Sequence, residues 1–155
     1  MDSLIKRLDP EILNALKAHD SKKAGVLRLL KSALHDEEII KRARLDSESK
    51  PAELTSEDEI KIVRKEVKKR LDAIEKFTAG NRLDLAEVEE YEINCFKEYL
   101  PAEMSAEELR TIVEQVVKEN SEVKDFGKIM KLAMERLGGR AGGDKVAGII
   151  KELLK

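Results

Sequence analysis

Aromatic residues are scarce in this sequence, which has 0 Trp, 2 Tyr and 3 Phe, while charged residues make up 40% of it. This composition is typical of long helices with solvated outer faces and not of β-rich proteins, whose strands favour aromatic and β-branched side chains. We therefore expect an all-α fold. The shortage of aromatic rings also argues against a protein that reads unstacked nucleic-acid bases by stacking.

Cysteine is nearly absent as well, because Cys95 is the single one. One cysteine excludes an intramolecular disulfide, and no long apolar run indicates a signal peptide or a membrane span. Cys95 lies between Asn94 and Phe96 with no histidine or basic residue next to it, so we interpret it as partly buried and inert. These features predict a cytoplasmic protein that does not enter a membrane.

Neither sign of charge dominates, since 30 Lys plus Arg face 32 Asp plus Glu and give a formal net charge of −2. Bulk electrostatics therefore does not draw the chain to nucleic acid or to a membrane, and any such attraction must be local. The hydrophobic content of 41% over 155 residues is enough for a buried core, in one ordinary domain or two small ones.

The N-terminal apolar pattern predicts helices separated by turn residues. Proline is tolerated in the first turn of a helix, so Pro10 with Asp9 as its cap indicates a helix that starts late or kinks there. A long second helix is expected from a cap at Asp20 or Ser21 to about Arg44.

Residues 45–54 show no periodicity, and we interpret them as a loop. Thr55 or Ser56 caps a third helix, which residues 79–81 end, and a fourth helix follows at once. The third helix is expected to bury one apolar stripe, consisting of Ile60, Val63, Val67, Leu71 and Ile74. The fourth has a wider apolar arc, consisting of Leu85, Val88, Tyr91, Phe96 and Leu100.

A proline, Pro101, precedes three shorter predicted helices. Ser105 with Glu108 three residues later forms a capping box at the first of them. Asp125 caps the second, whose apolar face ends in a glycine-rich turn, and Asp144 is placed to cap the third.

The expected architecture is therefore all-α with two parts. An N-terminal helical domain of about four helices covers 1–100, and a small C-terminal three-helix domain covers 101–155.

No constellation of catalytic residues is evident in the sequence. The glycine-rich run at 138–143 resembles a phosphate loop, but Asp144 occupies the position of the phosphate-binding lysine, so a helix-to-helix turn is the better interpretation. Neither His19 nor His35 has the Glu-x-x-His spacing of a helical di-iron site. We therefore predict no catalytic residue, no metal and no cofactor.

Basic residues in the third helix follow the spacing i, i+3, i+4, i+7 and i+8, opposite its apolar stripe. They are Lys61, Arg64, Lys65, Lys68 and Lys69. Like charges four residues apart destabilise an isolated helix by about 0.2–0.5 kcal/mol per pair. Such a face is either solvated and neutralised by neighbouring helices, or it binds phosphate. A smaller basic set, Lys124, Lys128 and Lys131, has the same two interpretations.

The C-terminal region resembles the signature of the GatB/YqeY family. The matching residues are Gly127, Lys128, Ile129, Met130 and Lys131, then Gly139, Arg140 and Ala141, then Val146 and Lys151 to Leu154. The upstream residues Tyr99, Leu100, Pro101, Met104, Ser105, Glu107, Glu108 and Leu109 resemble the interdomain motif of that family. The family commonly has Asp after the Gly-Arg-Ala triplet, where this chain has Gly142.

The resemblance implies a function connected with tRNA. In that family the C-terminal domain is similar to the tail of the B subunit of tRNA-dependent amidotransferases, which helps to hold the tRNA while glutamine supplies the amide nitrogen. By this resemblance we expect an accessory protein for tRNA or another structured RNA, without an active site of its own. Its contacts would be Lys128, Lys131 and Arg140 in the tail, with the Lys61 to Lys69 face as a second contact.

Two alternatives stay open. One is a partner-dependent role in carbon-nitrogen ligation with glutamine as amido-nitrogen donor, which would need a protein partner from an amidotransferase or the translation machinery. The other is a helical protein-interaction module without an RNA role, which an exposed apolar patch would favour. A continuous positive surface would favour RNA binding instead.

Overall fold

The structure, a computed structural model, describes residues 2–45 and 53–155. These residues form seven helices and no strand, which confirms the predicted all-α class. The helices are α1 Leu4–Lys17, α2 Ser21–Arg44, α3 Ser56–Ala79, α4 Leu83–Lys97, α5 Ala106–Glu119, α6 Phe126–Leu137 and α7 Gly143–Leu153. The predicted loop at 45–54 falls mostly on residues 46–52, outside the described residues. None of the described helices is long and apolar enough to span a membrane.

Contacts divide the chain into two compact units, Met1–Leu100 and Pro101–Lys155. In the first unit α1 packs against α2 and α3 against α4, and α2 also contacts both α3 and α4. Its core contains the fully buried side chains of Leu8, Leu27, Leu30, Leu34, Val63 and Phe96. In the second unit each of α5, α6 and α7 contacts the other two, around Val113, Val116, Ile129, Leu137, Val146 and Ile150.

Several helix starts agree with the sequence prediction. Asp20 caps α2 by accepting a hydrogen bond from the Lys23 N–H, and Asp125 caps α6 in the same way. Capping boxes pair Thr55 with Asp58 at α3 and Ser105 with Glu108 at α5. In each case a side-chain oxygen satisfies a backbone N–H that the first turn leaves without a helical partner.

Pro10 lies inside α1, so the predicted helix start with Asp9 as its cap is wrong. The helix begins at Leu4, and Asp9 instead forms an ion pair with Lys31 of α2. An interior proline costs about 3 kcal/mol because its nitrogen has no hydrogen to donate. Burial of one apolar stripe that continues past Pro10 offsets this cost, and its members are Leu4, Leu8, Ile12 and Ala15.

A side chain from α3 accepts a hydrogen bond from the first backbone N–H of α1. Ser3 makes no side-chain capping bond, and the Leu4 N–H donates to Glu59 Oε1 at 2.7 Å. A carboxylate is favoured at this end because the helix dipole is positive there. Burial nevertheless raises the pKa of Glu59. This contact therefore ties α1 to α3, and the sequence pattern did not indicate it.

The tyrosine of the Tyr99-Leu100-Pro101 motif anchors the end of the first unit. Its hydroxyl donates a hydrogen bond to Glu11 Oε2 of α1, and the ring packs against the first core with Leu100. Burial raises the pKa of Tyr99, and the bond to Glu11 adds to the shift. The hydroxyl proton therefore stays on Tyr99 near neutral pH.

The buried stripe predicted for α3 is only partly correct. Val63 is fully buried, but Leu71 is 53% exposed and Ile62, outside the predicted stripe, is 7% exposed. The inward face also contains Arg70, the one charged or polar side chain classed as buried in the described residues. In α4, Val88 of the predicted arc is 43% exposed, whereas Ala86, Ile93 and Cys95, outside that arc, are buried. A prediction from hydrophobicity alone missed part of the inward face of α3 because charged residues occupy part of it.

In the second unit, α7 begins earlier than its predicted cap. Gly142 is the N-cap and Asp144 lies within the first turn, so the predicted capping role of Asp144 is wrong. Gly142 adopts an extended conformation whose carbonyl accepts the first helical bond from Val146 N at 3.3 Å. Before it, Gly138 and Gly139 have φ of 54° and 81°, which glycine adopts without strain and which confirms the glycine-rich turn.

Arg70 joins α3 to α4 through a cluster that we call the Arg70 cluster, which consists of Arg70, Glu66, Glu92 and the Phe96 ring. Arg70 Nε donates to Glu92 Oε2 at 2.6 Å. Arg70 Nη1 donates to the Glu66 carbonyl at 3.0 Å and to Glu66 Oε2 at 2.9 Å. The guanidinium carbon lies 4.3 Å from the centre of the Phe96 ring, within cation-π range.

We expect Arg70→Met to lower the free energy of unfolding of the first unit by about 3–5 kcal/mol, because it leaves Glu92 without its cation and Glu66 with the exposed Lys69 alone. Urea unfolding followed by tyrosine fluorescence measures this unit, since Tyr91 and Tyr99 both lie in it. The control is Arg82→Met, which removes an exposed pair with Asp84 and should change little. Equal unfolding curves for the two variants would contradict the proposed role of Arg70.

Candidate nucleic-acid interface

A groove between α2 and α3, with a volume of about 420 Å³, brings basic residues of two helices together. We call it the α2–α3 groove. Its charged lining residues are Lys41, Arg44, Lys61 and Lys65 on the basic side, with Glu37 and Asp58 on the acidic side. Four cations minus two carboxylates leave a net charge of +2 in this lining. The groove is therefore a local positive site on a chain whose overall charge is slightly negative.

Two of the four cations are paired. Lys41 Nζ donates to Asp58 Oδ2 at 2.8 Å and to the Glu53 carbonyl at 2.9 Å. Lys65 Nζ donates to Glu37 Oε1 at 3.0 Å, and the Lys65 side chain keeps 60% of its surface exposed. These bonds link the C-terminal half of α2 to the N-terminal half of α3 and fix the width of the groove.

The other two cations, Arg44 and Lys61, are exposed. Among the residues that the structure describes, neither has an acidic partner within ion-pairing distance. Arg44 lies in the last turn of α2, where the helix dipole favours positive charge. Lys61 lies in the second turn of α3, one turn before Lys65 and so about 6 Å from it along the axis. Within the described part of the chain, both side chains are therefore open to an anion.

Asp58 supports the groove from the first turn of α3. The hydrogen bond from Lys41 lowers the pKa of Asp58 to about 2, although burial opposes the shift. Its carboxylate also accepts the Thr55 N–H at 3.0 Å as part of the capping box. Asp58 therefore stays ionised at neutral pH, holds Lys41 in place and takes part in the capping box of α3.

The rest of the predicted basic face is only partly open. Lys69 Nζ donates to Glu66 Oε1 at 2.6 Å. Burial opposes ionisation of Glu66, but the bonds from Lys69 and Arg70 outweigh it and lower the pKa of Glu66. Arg64 and Lys68 also interact with neighbouring groups. The face is thus divided, with Lys61 and Lys65 in the groove and Lys69 held by the Arg70 cluster.

The tail candidates lie in the second unit. Lys128 and Lys131 are exposed on α6. Arg140 lies in the turn between α6 and α7, where its Nε donates to the Leu137 carbonyl at 3.3 Å. A second groove of about 450 Å³ places Arg140 with Glu107 and Glu108. These carboxylates weaken Arg140 as a phosphate contact, so a binding role for the tail residues stays a prediction.

Sequence reasoning missed Lys41, Arg44 and Glu37 as members of the site. A signal was present, because α2 ends with Lys41, Arg42 and Arg44 in its last turn, but nothing in the sequence placed that turn beside Lys61. The partners of Lys65 and Lys41 on opposite helices became evident only from the packing of α2 against α3.

Other reactive groups do not form a site in the described residues. Cys95 is 8% exposed, and burial raises the pKa of its thiol, which disfavours the reactive thiolate. The described part of the chain contains no group of three or more His, Cys, Asp or Glu side chains close enough to hold a metal ion.

Comparison with known proteins places the chain in a family. A family model described as Yqey-like protein matches residues 5–154. The chain therefore belongs to the Yqey-like protein family, which confirms the resemblance noted in the sequence. A Schizosaccharomyces pombe protein described as uncharacterized protein C22F3.15 is 32% identical to it over 95 residues, which cover 61% of this chain and 70% of that protein.

We expect acid to destabilise the first unit partly through Asp58. The folded pKa of about 2 lies below the ordinary value of 3.8, so the stabilisation is present above pH 3.8 and is lost as the pH falls towards 2. Asp58→Asn should therefore be less stable near neutral pH and should lose less stability between these two pH values. Urea unfolding followed by tyrosine fluorescence measures both effects.

The control for Asp58→Asn is Asp72→Asn, which changes an exposed aspartate on the same helix. It should follow the wild-type dependence on pH. If Asp58→Asn lost as much stability as the wild type in the acid range, the ion pair with Lys41 would not be the cause.

Proposed function

We propose that this protein binds structured RNA, with tRNA as the first candidate, and acts as an accessory factor in the cytoplasm without an active site of its own. The observation that supports the proposal best is the convergence of Lys41, Arg44, Lys61 and Lys65 on the α2–α3 groove. The similarity of the family's C-terminal domain to the amidotransferase tail is the reason for naming tRNA.

The physical basis of the proposed binding is electrostatic. Cations that neutralise phosphates release condensed counterions, so affinity falls with salt by a log-log slope of about −0.7 to −0.9 per phosphate contact. Arg44 supplies a planar fork for phosphate oxygens, and Lys61 and Lys65 supply compact charges. With 3% aromatic residues, the protein would recognise the backbone and shape of the RNA more than its bases.

The tail residues Lys128, Lys131 and Arg140 are proposed as additional contacts. Lys128 and Lys131 are exposed on α6 and form no ion pair within the described residues of the second unit. Arg140 has carboxylate neighbours, so we assign the larger share of affinity to the α2–α3 groove.

A second candidate function is a helical protein-interaction module. The groove in the second unit supports it, because Met104 and Ile112 line it together with Thr111. An amphipathic helix could place its apolar face on these side chains. A role in glutamine-dependent carbon-nitrogen ligation stays a prediction that requires a partner to supply the catalytic residues.

The test of RNA binding is fluorescence anisotropy of labelled tRNA at several salt concentrations with the wild type and with R44Q/K61Q/K65Q. We expect the variant to bind at least about tenfold more weakly at low salt. Its salt slope should be flatter by about 2–3, since three phosphate contacts are removed. These substitutions leave the Arg70 cluster and the core unchanged.

The matched control is K17Q/R28Q/K76Q, which removes the same charge from exposed positions of α1, α2 and α3 outside the groove. It should retain the wild-type affinity and slope. If both triple variants lost affinity equally, binding would depend on net charge alone, and the groove would not be the interface.

A further inference from the structure

The lining of the α2–α3 groove contains apolar residues in addition to its charged ones. Its volume of about 420 Å³ falls in the range of small-molecule sites, about 300–1,000 Å³. Ile40, Leu54 and Ile62 form the apolar part of the lining. Ile62 is buried, whereas Ile40 keeps 41% of its surface exposed and is accessible to a ligand. A surface that only contacts an RNA backbone does not need such a cavity.

The charge in the groove matches one particular kind of phosphate. Asp58 and Glu37 neutralise Lys41 and Lys65, which leaves the two positive charges of Arg44 and Lys61 among the described residues that line the groove. A phosphodiester within an RNA chain carries one negative charge, whereas a terminal phosphomonoester carries about −1.5 to −2 at neutral pH. The remaining charge therefore fits a terminal phosphate better than an internal one.

The chemistry of the two cations agrees with this match. The Arg44 guanidinium presents a planar fork of donors to phosphate oxygens, and the Lys61 ammonium presents a point charge from the facing helix. The two cations come from different helices that line the same groove as the apolar residues. A ligand in the groove would place its phosphate on the cations and its uncharged part on the apolar side chains.

We propose that the α2–α3 groove binds the terminal phosphate of a nucleotide between Arg44 and Lys61, with the nucleoside packed on Ile40, Leu54 and Ile62. The nucleotide is either the 5′ end of an RNA or a free nucleotide. For the RNA end, this inference rests on the proposed function, and for a free nucleotide it does not. Aliphatic side chains hold the base by burial, without aromatic stacking, so the site does not select a particular base strongly.

The direct test is isothermal titration calorimetry of the full chain with adenosine 5′-monophosphate, adenosine and inorganic phosphate. We expect saturable binding of the monophosphate and weaker binding of the other two. R44Q/K61Q should weaken binding of the monophosphate by about tenfold or more, because two charge-assisted contacts are lost. R28Q/K76Q removes the same charge from the same two helices outside the groove and should bind as the wild type does.

Ile40→Ala tests the apolar part of the lining separately from the charges. This partly exposed position tolerates truncation, and the variant should weaken binding of adenosine 5′-monophosphate while leaving inorganic phosphate unchanged. Absence of saturable binding of the monophosphate at low salt, or equal affinity in R44Q/K61Q and wild type, would overturn the proposal.

The source of the nucleotide is tested with one RNA prepared with a 5′-phosphate and with a 5′-hydroxyl. Tighter binding of the phosphorylated form, lost in R44Q/K61Q, identifies an RNA end as the ligand. Binding of the monophosphate without discrimination between the two RNAs identifies a free nucleotide. RNA binding without any binding of the monophosphate overturns this inference and leaves the proposed function standing. Binding of the monophosphate without binding of RNA supports this inference and overturns the proposed function.

Discussion

The contact on which the first unit depends is the Arg70 guanidinium held between Glu66, Glu92 and the Phe96 ring. A buried cation without partners would be too costly to keep, so the three bonds and the ring fix how α3 is rotated against α4. That rotation directs Val63 into the core and leaves Lys61 and Lys65 on the side of α3 that faces α2. The position of the basic groove therefore follows from a salt bridge on the opposite side of the same helix.

A second constraint acts across α2 and α3. The pairs of Lys41 with Asp58 and of Lys65 with Glu37 align the end of one helix with the start of the other. They occupy half of the cations in the groove. Lys65 keeps 60% of its side-chain surface exposed and can still contact a ligand. Arg44 and Lys61 have no acidic partner among the described residues. A locally positive site can thus exist in a protein whose formal net charge is −2.

The all-α class and most helix ends could be predicted from the sequence because their signals are local. Caps such as Asp20, Thr55 and Asp125 bond a backbone N–H three residues later, and a glycine can end a helix at a single position. The prediction failed where distant parts of the chain compete with local preference. Pro10 stays inside α1 because the buried stripe continues past it, and Leu71 is exposed because Arg70 turns inward. The candidate cations Lys61 and Lys65 were found from their spacing, whereas Lys41 and Arg44 required the packing of α2 on α3.

We propose that this Yqey-like protein contacts RNA through the α2–α3 groove. The decisive experiment follows the backbone amide NMR signals of the ¹⁵N-labelled protein while unlabelled tRNA is added. We expect the largest changes at Lys41, Arg44, Lys61 and Lys65, and we expect them to diminish as salt is added. Changes confined to α5, α6 and α7, with the groove signals unmoved, would contradict it.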